Sequence, residues 1–166
     1  GIAFCVSPSE IVYVPVNRAF GEGCGGNLSL DLDGAYTADL APLAGVLNSE
    51  KPRKVLHDAK LACSALSRRG VRLGGIAFDT MLAAYLLDPS RSSYALGALA
   101  FEQLGDGLAE SGDGSADAES AGVERVCREA KAVVDLKPVL EDRLRRDGME
   151  ALLTEVELPL ASILSD

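Results

Sequence analysis

The 166-residue sequence contains no tryptophan, one histidine and four cysteines, and aromatic residues make up only 5% of it. No two cysteines are spaced as a Cys-x-x-Cys pair, and the single histidine, His57, cannot complete a zinc cluster alone. The cysteines are therefore interpreted as buried or half-buried thiols in a reducing cytosol. No apolar run reaches the roughly 18 residues that span a bilayer, and no signal peptide is visible. These absences predict a cytoplasmic protein that does not contact membranes.

Basic residues are also scarce: the sequence has 16 of them against 25 acidic residues, which gives a net charge of −9. Six of the acids and none of the bases lie within residues 102–121. The Gly-, Ser- and Ala-rich part of this stretch, 106–121, is interpreted as a mobile acidic loop. A free-standing nucleic-acid binder usually carries a basic face, because neutralisation of phosphates supplies much of its affinity. The sequence shows no basic stripe of that kind.

Hydrophobic residues make up 48% of the sequence, which is enough to bury a core. Apolar runs at 2–6 and 11–16, separated by Ser-Pro-Ser, predict an antiparallel hairpin. Residues 17–34 are rich in Gly, Asn and Asp and are interpreted as a loop. Two further short strands are predicted at 54–57 and 76–78.

Helical spacing of apolar residues predicts several helices around and after these strands. The shorter ones are a helix from an N-cap at Thr37 or Asp39 to about Leu47, and helices at 59–69, 81–87 and up to Leu104. A long helix is predicted from about Gly122 to Arg146, with a kink or a break at Pro138. A last helix, 149–164, repeats apolar residues at positions 152, 153, 156, 160, 163 and 164. This order of elements predicts an α/β layer architecture.

The most specific pattern is Gly-Val-Arg-Leu-Gly-Gly-Ile-Ala-Phe-Asp-Thr-Met-Leu-Ala-Ala-Tyr-Leu-Leu-Asp at residues 70–88. It resembles the middle of the 3′–5′ exonuclease domain of bacterial family A DNA polymerases, the DNA polymerase I family. Segments 11–16, 54–60, 94–105 and 155–164 resemble further pieces of that family in the same order. The resemblance therefore covers almost the whole sequence except the two predicted loops.

The resemblance implies an α/β fold of the RNase H-like (DnaQ-like exonuclease) type, in which helices flank a mixed five-stranded sheet. In that family the first strand lies at the centre of the sheet and carries an Asp-x-Glu pair, whereas this sequence begins at what resembles the second strand. A missing central strand would leave the ladder groups of both neighbouring strands unpaired. The implied organisation is an exonuclease-like domain at 1–148 and a connecting helix at 149–166 that leads into the polymerase domain.

The resemblance also implies a two-metal nuclease site, which needs several converging carboxylates. The family's second motif, Asn-x-x-x-Asp, is matched by residues 58–62, where Asp58 replaces the Asn and Ala62 replaces the metal-binding Asp. The third motif, Tyr-x-x-x-Asp, is matched by 126–130, where Val126 and Ala130 replace both functional residues. We therefore predict no catalytic and no metal-binding residue in this domain, and we identify no nucleic-acid-binding residue.

Nearby polar residues do not restore the predicted site. On a helix, Glu129 and Asp135 would point about 100° and about 140° away from Ala130. Asp79 is interpreted as the N-cap of the helix that follows it, and His57 as a hydrogen-bonded polar residue at a strand end. Asp58 remains the best replacement ligand, but one carboxylate holds a divalent ion only weakly.

The leading hypothesis is a vestigial domain of DNA polymerase I that has lost proofreading and supports replication and repair synthesis by the parent enzyme. Such a domain would need no cofactor of its own, while the parent polymerase would use Mg²⁺. Its partners would be the polymerase and 5′ nuclease domains of the same parent chain, and it would meet DNA through the parent protein. One alternative is an active metal-dependent 3′–5′ exonuclease acting on single-stranded DNA ends, and a second is an unrelated α/β protein-interaction domain.

Overall fold

The computed structural model describes residues 1–15, 40–105, 108 and 118–163. The strands are β1 (Ile2–Ser7), β2 (Glu10–Val14), β3 (Lys54–Leu56) and β4 (Ile76–Asp79). The helices are α1 (Ala41–Asn48), α2 (Ala59–Ser67), α3 (Thr80–Leu87), α4 (Leu96–Leu104), α5 (Ala118–Arg146), α6 (Glu150–Leu152) and α7 (Leu158–Ile163), with a π-helical turn at Leu153–Glu157 between the last two. The predicted loop at 17–34, the predicted N-caps Thr37 and Asp39, and most of the acidic loop lie outside the described residues.

The strands form two separate pairs. In the hairpin β1 and β2 run antiparallel, with Ile2 opposite Val14 and Phe4 opposite Val12. In the second pair β3 and β4 run parallel, as a strand–helix–strand connection requires. Among the described residues no strand joins β1 to β3. Instead of the five-stranded sheet that the resemblance implies, these residues form two separate strand pairs.

Helices cover both faces of this layer of strands. Val55 of β3 packs against the core cluster that contains α3 and α5, whereas the next residue, Leu56, packs against the cluster formed with α1 and α2. Successive side chains of a strand point to opposite faces, which explains the division. Ile2 and Phe4 of the hairpin pack against the same α1 and α2 cluster, and α5 contacts β1, β2 and β3. The arrangement confirms the predicted α/β class.

Helix α5 runs without interruption through Pro138, so of the predicted kink or break the break into two helices is excluded. A proline inside a helix removes one backbone hydrogen bond and costs about 3 kcal/mol. Leu136, Leu140 and Leu144 are almost completely buried on the same helix, and their packing offsets that cost. The helix also begins at Ala118, four residues before the predicted start, in a stretch where two alanines favour helix.

The thiols follow the sequence prediction where the structure describes them. Cys63 is buried, and Cys5 and Cys127 are half-buried. The fourth, Cys24, lies outside the described residues. No helix in the described part of the chain is long and apolar enough to cross a membrane.

A close backbone approach positions the start of β4. Gly75 has φ +70°, and a Cβ placed on it would lie 2.5 Å from the Glu50 carbonyl oxygen. The Gly75 carbonyl accepts the backbone N–H of Lys54 at 2.8 Å, and the Lys54 Nζ donates to the Ser49 and Gly74 carbonyls at 2.7 Å each. These contacts set where β3 and β4 begin, and therefore where they end.

We expect Gly75→Ala to lower the free energy of unfolding by about 2–4 kcal/mol, because it adds backbone strain at positive φ to a steric clash. Gly70 is a matched control, since its φ is +71° and nothing lies within 4 Å of an added Cβ. Gly70→Ala should cost only the backbone strain of about 1–2 kcal/mol. Denaturant unfolding of both variants measures the difference, and equal losses would contradict the steric role of Gly75.

Candidate functional site

The centre of the candidate site is the carboxylate of Asp79, at the end of β4, which is completely buried. Its Oδ1 accepts the backbone N–H groups of Met81 at 2.8 Å and Leu82 at 3.3 Å, at the start of α3. The same oxygen accepts the N–H of Asp58 at 3.1 Å, and Oδ2 accepts that of Ala59 at 2.6 Å. Asp79 is the N-cap of α3, as predicted, and it also holds the first residues of α2, which the sequence did not indicate.

Asp58 occupies a left-handed backbone conformation, with φ +62°, as the N-cap of α2. Its carboxylate accepts the backbone N–H of Leu61 at 3.0 Å. An aspartate is one of the few residues other than glycine that adopts this conformation readily. The carboxylate proposed as the best replacement metal ligand is thus already engaged in capping a helix.

His57 is affected electrostatically by both of these acids, and its ring hydrogen-bonds to a buried hydroxyl. Its Nδ1 is 2.9 Å from the Oγ1 of Thr80, which in turn donates to the Leu56 carbonyl at 3.4 Å. Which of the two groups donates depends on the tautomer of the imidazole. Burial lowers the pKa of His57, and the nearby carboxylates of Asp79 and Asp58 oppose that shift only in part. The geometry confirms the interpretation of His57 as a hydrogen-bonded polar residue.

The two positions that the resemblance assigns to metal-binding acids carry methyl groups. Ala62 is half-buried on α2 and packs against the cluster that includes Ile2 and Phe4. Ala130 is half-buried on α5, and Val126 lies one turn before it on the same side. Neither methyl group can ligate a metal ion.

Helix α5 contacts β3, the strand that precedes the 58–62 segment. Glu129, next to Ala130, acts electrostatically on His57, as do Asp58 and Asp79. Asp135, the other acid considered in this region of α5, is instead paired with Lys131 at 2.6 Å.

The acids near His57 do not assemble into a metal site. In the ranges that the structure describes, no group of three or more His, Cys, Asp or Glu side chains could hold a metal ion. The residues present therefore do not fit the two-metal centre that the family resemblance implies.

An α/β layer with this site at the strand ends is the architecture of an RNase H-like nuclease domain. The sequence pattern of the family described as "DNA polymerase I, ribonuclease H-like domain" matches residues 28–110. This chain belongs to that family. Membership excludes the alternative of an unrelated α/β interaction domain.

Curated relatives and a solved structure agree with this assignment. DNA polymerase I of Geobacillus stearothermophilus is 38% identical over 127 residues, which cover 72% of this chain and 14% of that protein. DNA polymerase I of Mycobacterium tuberculosis H37Rv is 38% identical over 152 residues, covering 81% of this chain and 17% of that protein. The solved "POL domain of Pol1 from M. smegmatis complex with DNA primer-template and dNTP" matches with a TM-score of 0.66 and 38% identity, over 76% of this chain and 20% of that chain. This chain therefore spans about one fifth or less of the proteins it matches.

We expect Asp79→Ala to lower the free energy of unfolding by about 3–5 kcal/mol, because several buried N–H groups lose their acceptor. Asp79→Asn is the matched control, since its remaining oxygen can still accept the three N–H groups now bonded to Oδ1. It should cost clearly less than the alanine variant. Denaturant unfolding measures both, and a loss below 1 kcal/mol for Asp79→Ala would contradict the linking role.

The single histidine makes a pH test possible. Because burial lowers the folded-state pKa of His57 below its ordinary 6.5, the unfolded chain takes up the proton first as the pH falls. The free energy of unfolding should therefore decrease as the pH falls below 6.5, with a slope of at most about 1.4 kcal/mol per pH unit from this group. In His57→Gln, which keeps a donor for Thr80, that dependence between pH 7.5 and 5.5 should largely disappear. Parallel curves for the two proteins would refute the assignment.

Proposed function

We propose that this chain forms the 3′–5′ exonuclease-like domain of a DNA polymerase I and serves the parent enzyme as a structural module without proofreading activity. The observation that carries the proposal is the pair of methyl groups at Ala62 and Ala130, on either side of the region where the family places acids. Hydrolysis by two metal ions needs carboxylates that bind both ions at once. The carboxylate of Asp58 caps α2, and that of Asp79 is consumed by backbone N–H groups.

The intact core supports a structural role. The largest fully buried side chains include Leu99, Leu136, Leu140 and Leu144, which join α4 and α5 in one cluster with Phe78 of β4. Burying a leucine contributes roughly 1.5–3 kcal/mol, so this packing stabilises the fold whether or not metal ligands are present. A domain that only spaces and supports its neighbours needs the core and not the ligands.

The parent protein supplies the remaining functions in this proposal. DNA synthesis during replication and repair, with its Mg²⁺, belongs to the polymerase domain, and a 5′ nuclease domain is the other partner in the same chain. Other parts of the parent protein would bind the DNA, which is consistent with the net charge of −9 on this domain. We place the parent enzyme in the cytoplasm, where bacterial chromosomal DNA is copied.

The test is degradation of end-labelled single-stranded DNA by the full polymerase chain with Mg²⁺ or Mn²⁺. We expect no metal-dependent trimming from the 3′ end, because the donor set cannot hold two ions. Asp58→Asn is the matched control, since asparagine also caps helices and tolerates a left-handed backbone. Metal-dependent trimming by the unaltered chain that is lost in Asp58→Asn would establish the active exonuclease instead.

A further inference from the structure

Basic residues are concentrated in one part of this acidic chain. Residues 51–72 contain seven of the 16 bases and a single acid, Asp58. Because β3 and β4 are parallel, α2 runs back between them, so its carboxyl end lies at the same edge of the layer as the starts of both strands. Five exposed bases lie at this edge, which we call the basic edge: Lys51, Arg53, Arg68, Arg69 and Arg72.

The basic edge is separate from the candidate site. His57 and Asp58 follow the end of β3, and Asp79 is the last residue of β4. These three residues therefore lie at the carboxyl ends of the parallel strands, whereas the basic edge lies where the same strands begin. A ligand bound at the basic edge would be separated from the candidate site by the length of the strands.

The charges of the basic edge are not neutralised within the part of the domain that the structure describes. There, none of the five forms an ion pair, whereas four bases of α5 are each paired with an acid: Lys131, Lys137, Arg145 and Arg146. The carboxyl end of a helix favours cations, which accounts for Arg68 and Arg69 at the end of α2. It does not account for Lys51, Arg53 or Arg72, which lie outside the helix.

Two of these arginines line one open cleft. Arg53 lies directly before β3 and Arg72 shortly before β4, and Glu50 is the other charged residue that lines the cleft. The guanidinium of Arg53 donates one hydrogen bond, at 3.5 Å, to the carbonyl of Ile76. A guanidinium has five N–H donors, so most of those on Arg53 remain available to an anion.

The residue types indicate which anion fits. Four of the five bases are arginines, whose planar guanidinium pairs with phosphate through two parallel hydrogen bonds. Proteins that bind single strands add aromatic side chains on which bases stack, but residues 50–77 contain no Phe, Tyr or Trp. Contacts to the phosphates of a duplex need no stacking and hold it without regard to sequence.

We propose that the basic edge contacts the phosphate backbone of double-stranded DNA bound to the parent chain, with Arg53 and Arg72 in the centre of the contact. The proposal goes beyond the proposed function and rests on it only in placing the domain within a DNA polymerase. The contact adds to the binding by other parts of that protein. The net charge of −9 does not oppose it, because exposed charges more than about 10 Å apart are largely screened at 0.1 M salt.

The experiment measures the affinity of the full polymerase chain for a primer–template duplex over a series of salt concentrations. In Arg53→Gln/Arg72→Gln we expect Kd to rise roughly tenfold or more at about 0.1 M salt. The slope of the logarithm of the binding constant against the logarithm of salt concentration should become shallower by about 1.8, because each lost phosphate contact removes about 0.9. Arg72→Gln alone should remove about half of that slope change.

Arg145→Gln/Arg146→Gln is the matched control. It removes the same two charges from exposed arginines that are already paired with acids on α5 and beyond, so the slope should stay unchanged. An unchanged slope in the Arg53 and Arg72 double variant, or an equal change in the control, would overturn the proposal.

Three further outcomes separate this proposal from others. A change with single-stranded DNA but not with duplex would overturn it. Unchanged duplex binding together with weaker binding of a polyglutamate peptide would assign the edge to an acidic protein, which also overturns it. The expected slope change in a chain that trims DNA from the 3′ end would leave the basic edge standing while the inactive-domain proposal fails.

Discussion

The folded arrangement around the candidate site depends on one buried carboxylate. Asp79 ends β4, and its two oxygens accept four backbone N–H groups from the first residues of α2 and α3. Both helices direct the positive ends of their dipoles at it, which compensates for removing the carboxylate from water. Because β3 leads into α2 and β4 into α3, this one side chain sets the direction in which both helices leave the sheet. The packing of α3 on α5 follows from that direction.

Hydrogen bonding to backbone N–H groups makes the acids of this region structural, because it uses the oxygens that a metal ion would need. Asp79 and Asp58 are acids of the candidate site, and hydrogen bonds inside the fold already use their oxygens. The methyl groups of Ala62 and Ala130 lack any such function, and Ala62 packs against the neighbouring apolar cluster. Metal ligands can thus be replaced by alanine at little cost to the fold, whereas the capping acid cannot. This asymmetry is the physical basis of the proposal that the domain keeps its architecture without nuclease chemistry.

Much of the fold was predictable because its signals are local. The hairpin follows from two apolar runs around Ser-Pro-Ser, and the cap of α3 follows from Asp79 standing before an apolar helical repeat. The family resemblance pointed to Asp58, Ala62, Val126 and Ala130 as the positions of the family's motifs, and their role stays a prediction. Of the kink or break predicted at Pro138, the structure excludes the break, since a local rule cannot include the buried leucines that hold α5 together across it.

The sequence by itself determined the α/β class, the membership of the polymerase family and the absence of acids at positions 62 and 130, since these depend on residue identity and short-range spacing. Only the tertiary structure showed that Asp79 also holds α2, about twenty positions earlier in the chain, because no pattern links a side chain to distant backbone N–H groups. It also decided which side of the final helix is buried. The apolar repeat at positions 152, 153, 156, 160, 163 and 164 did not distinguish the two sides. A π-helical turn before Pro159 places Leu153 and Leu158 inward and leaves Leu152, Val156, Leu160 and Ile163 exposed. Hydrogen-bond register is set by the packing of the whole domain, and residue spacing alone does not contain it.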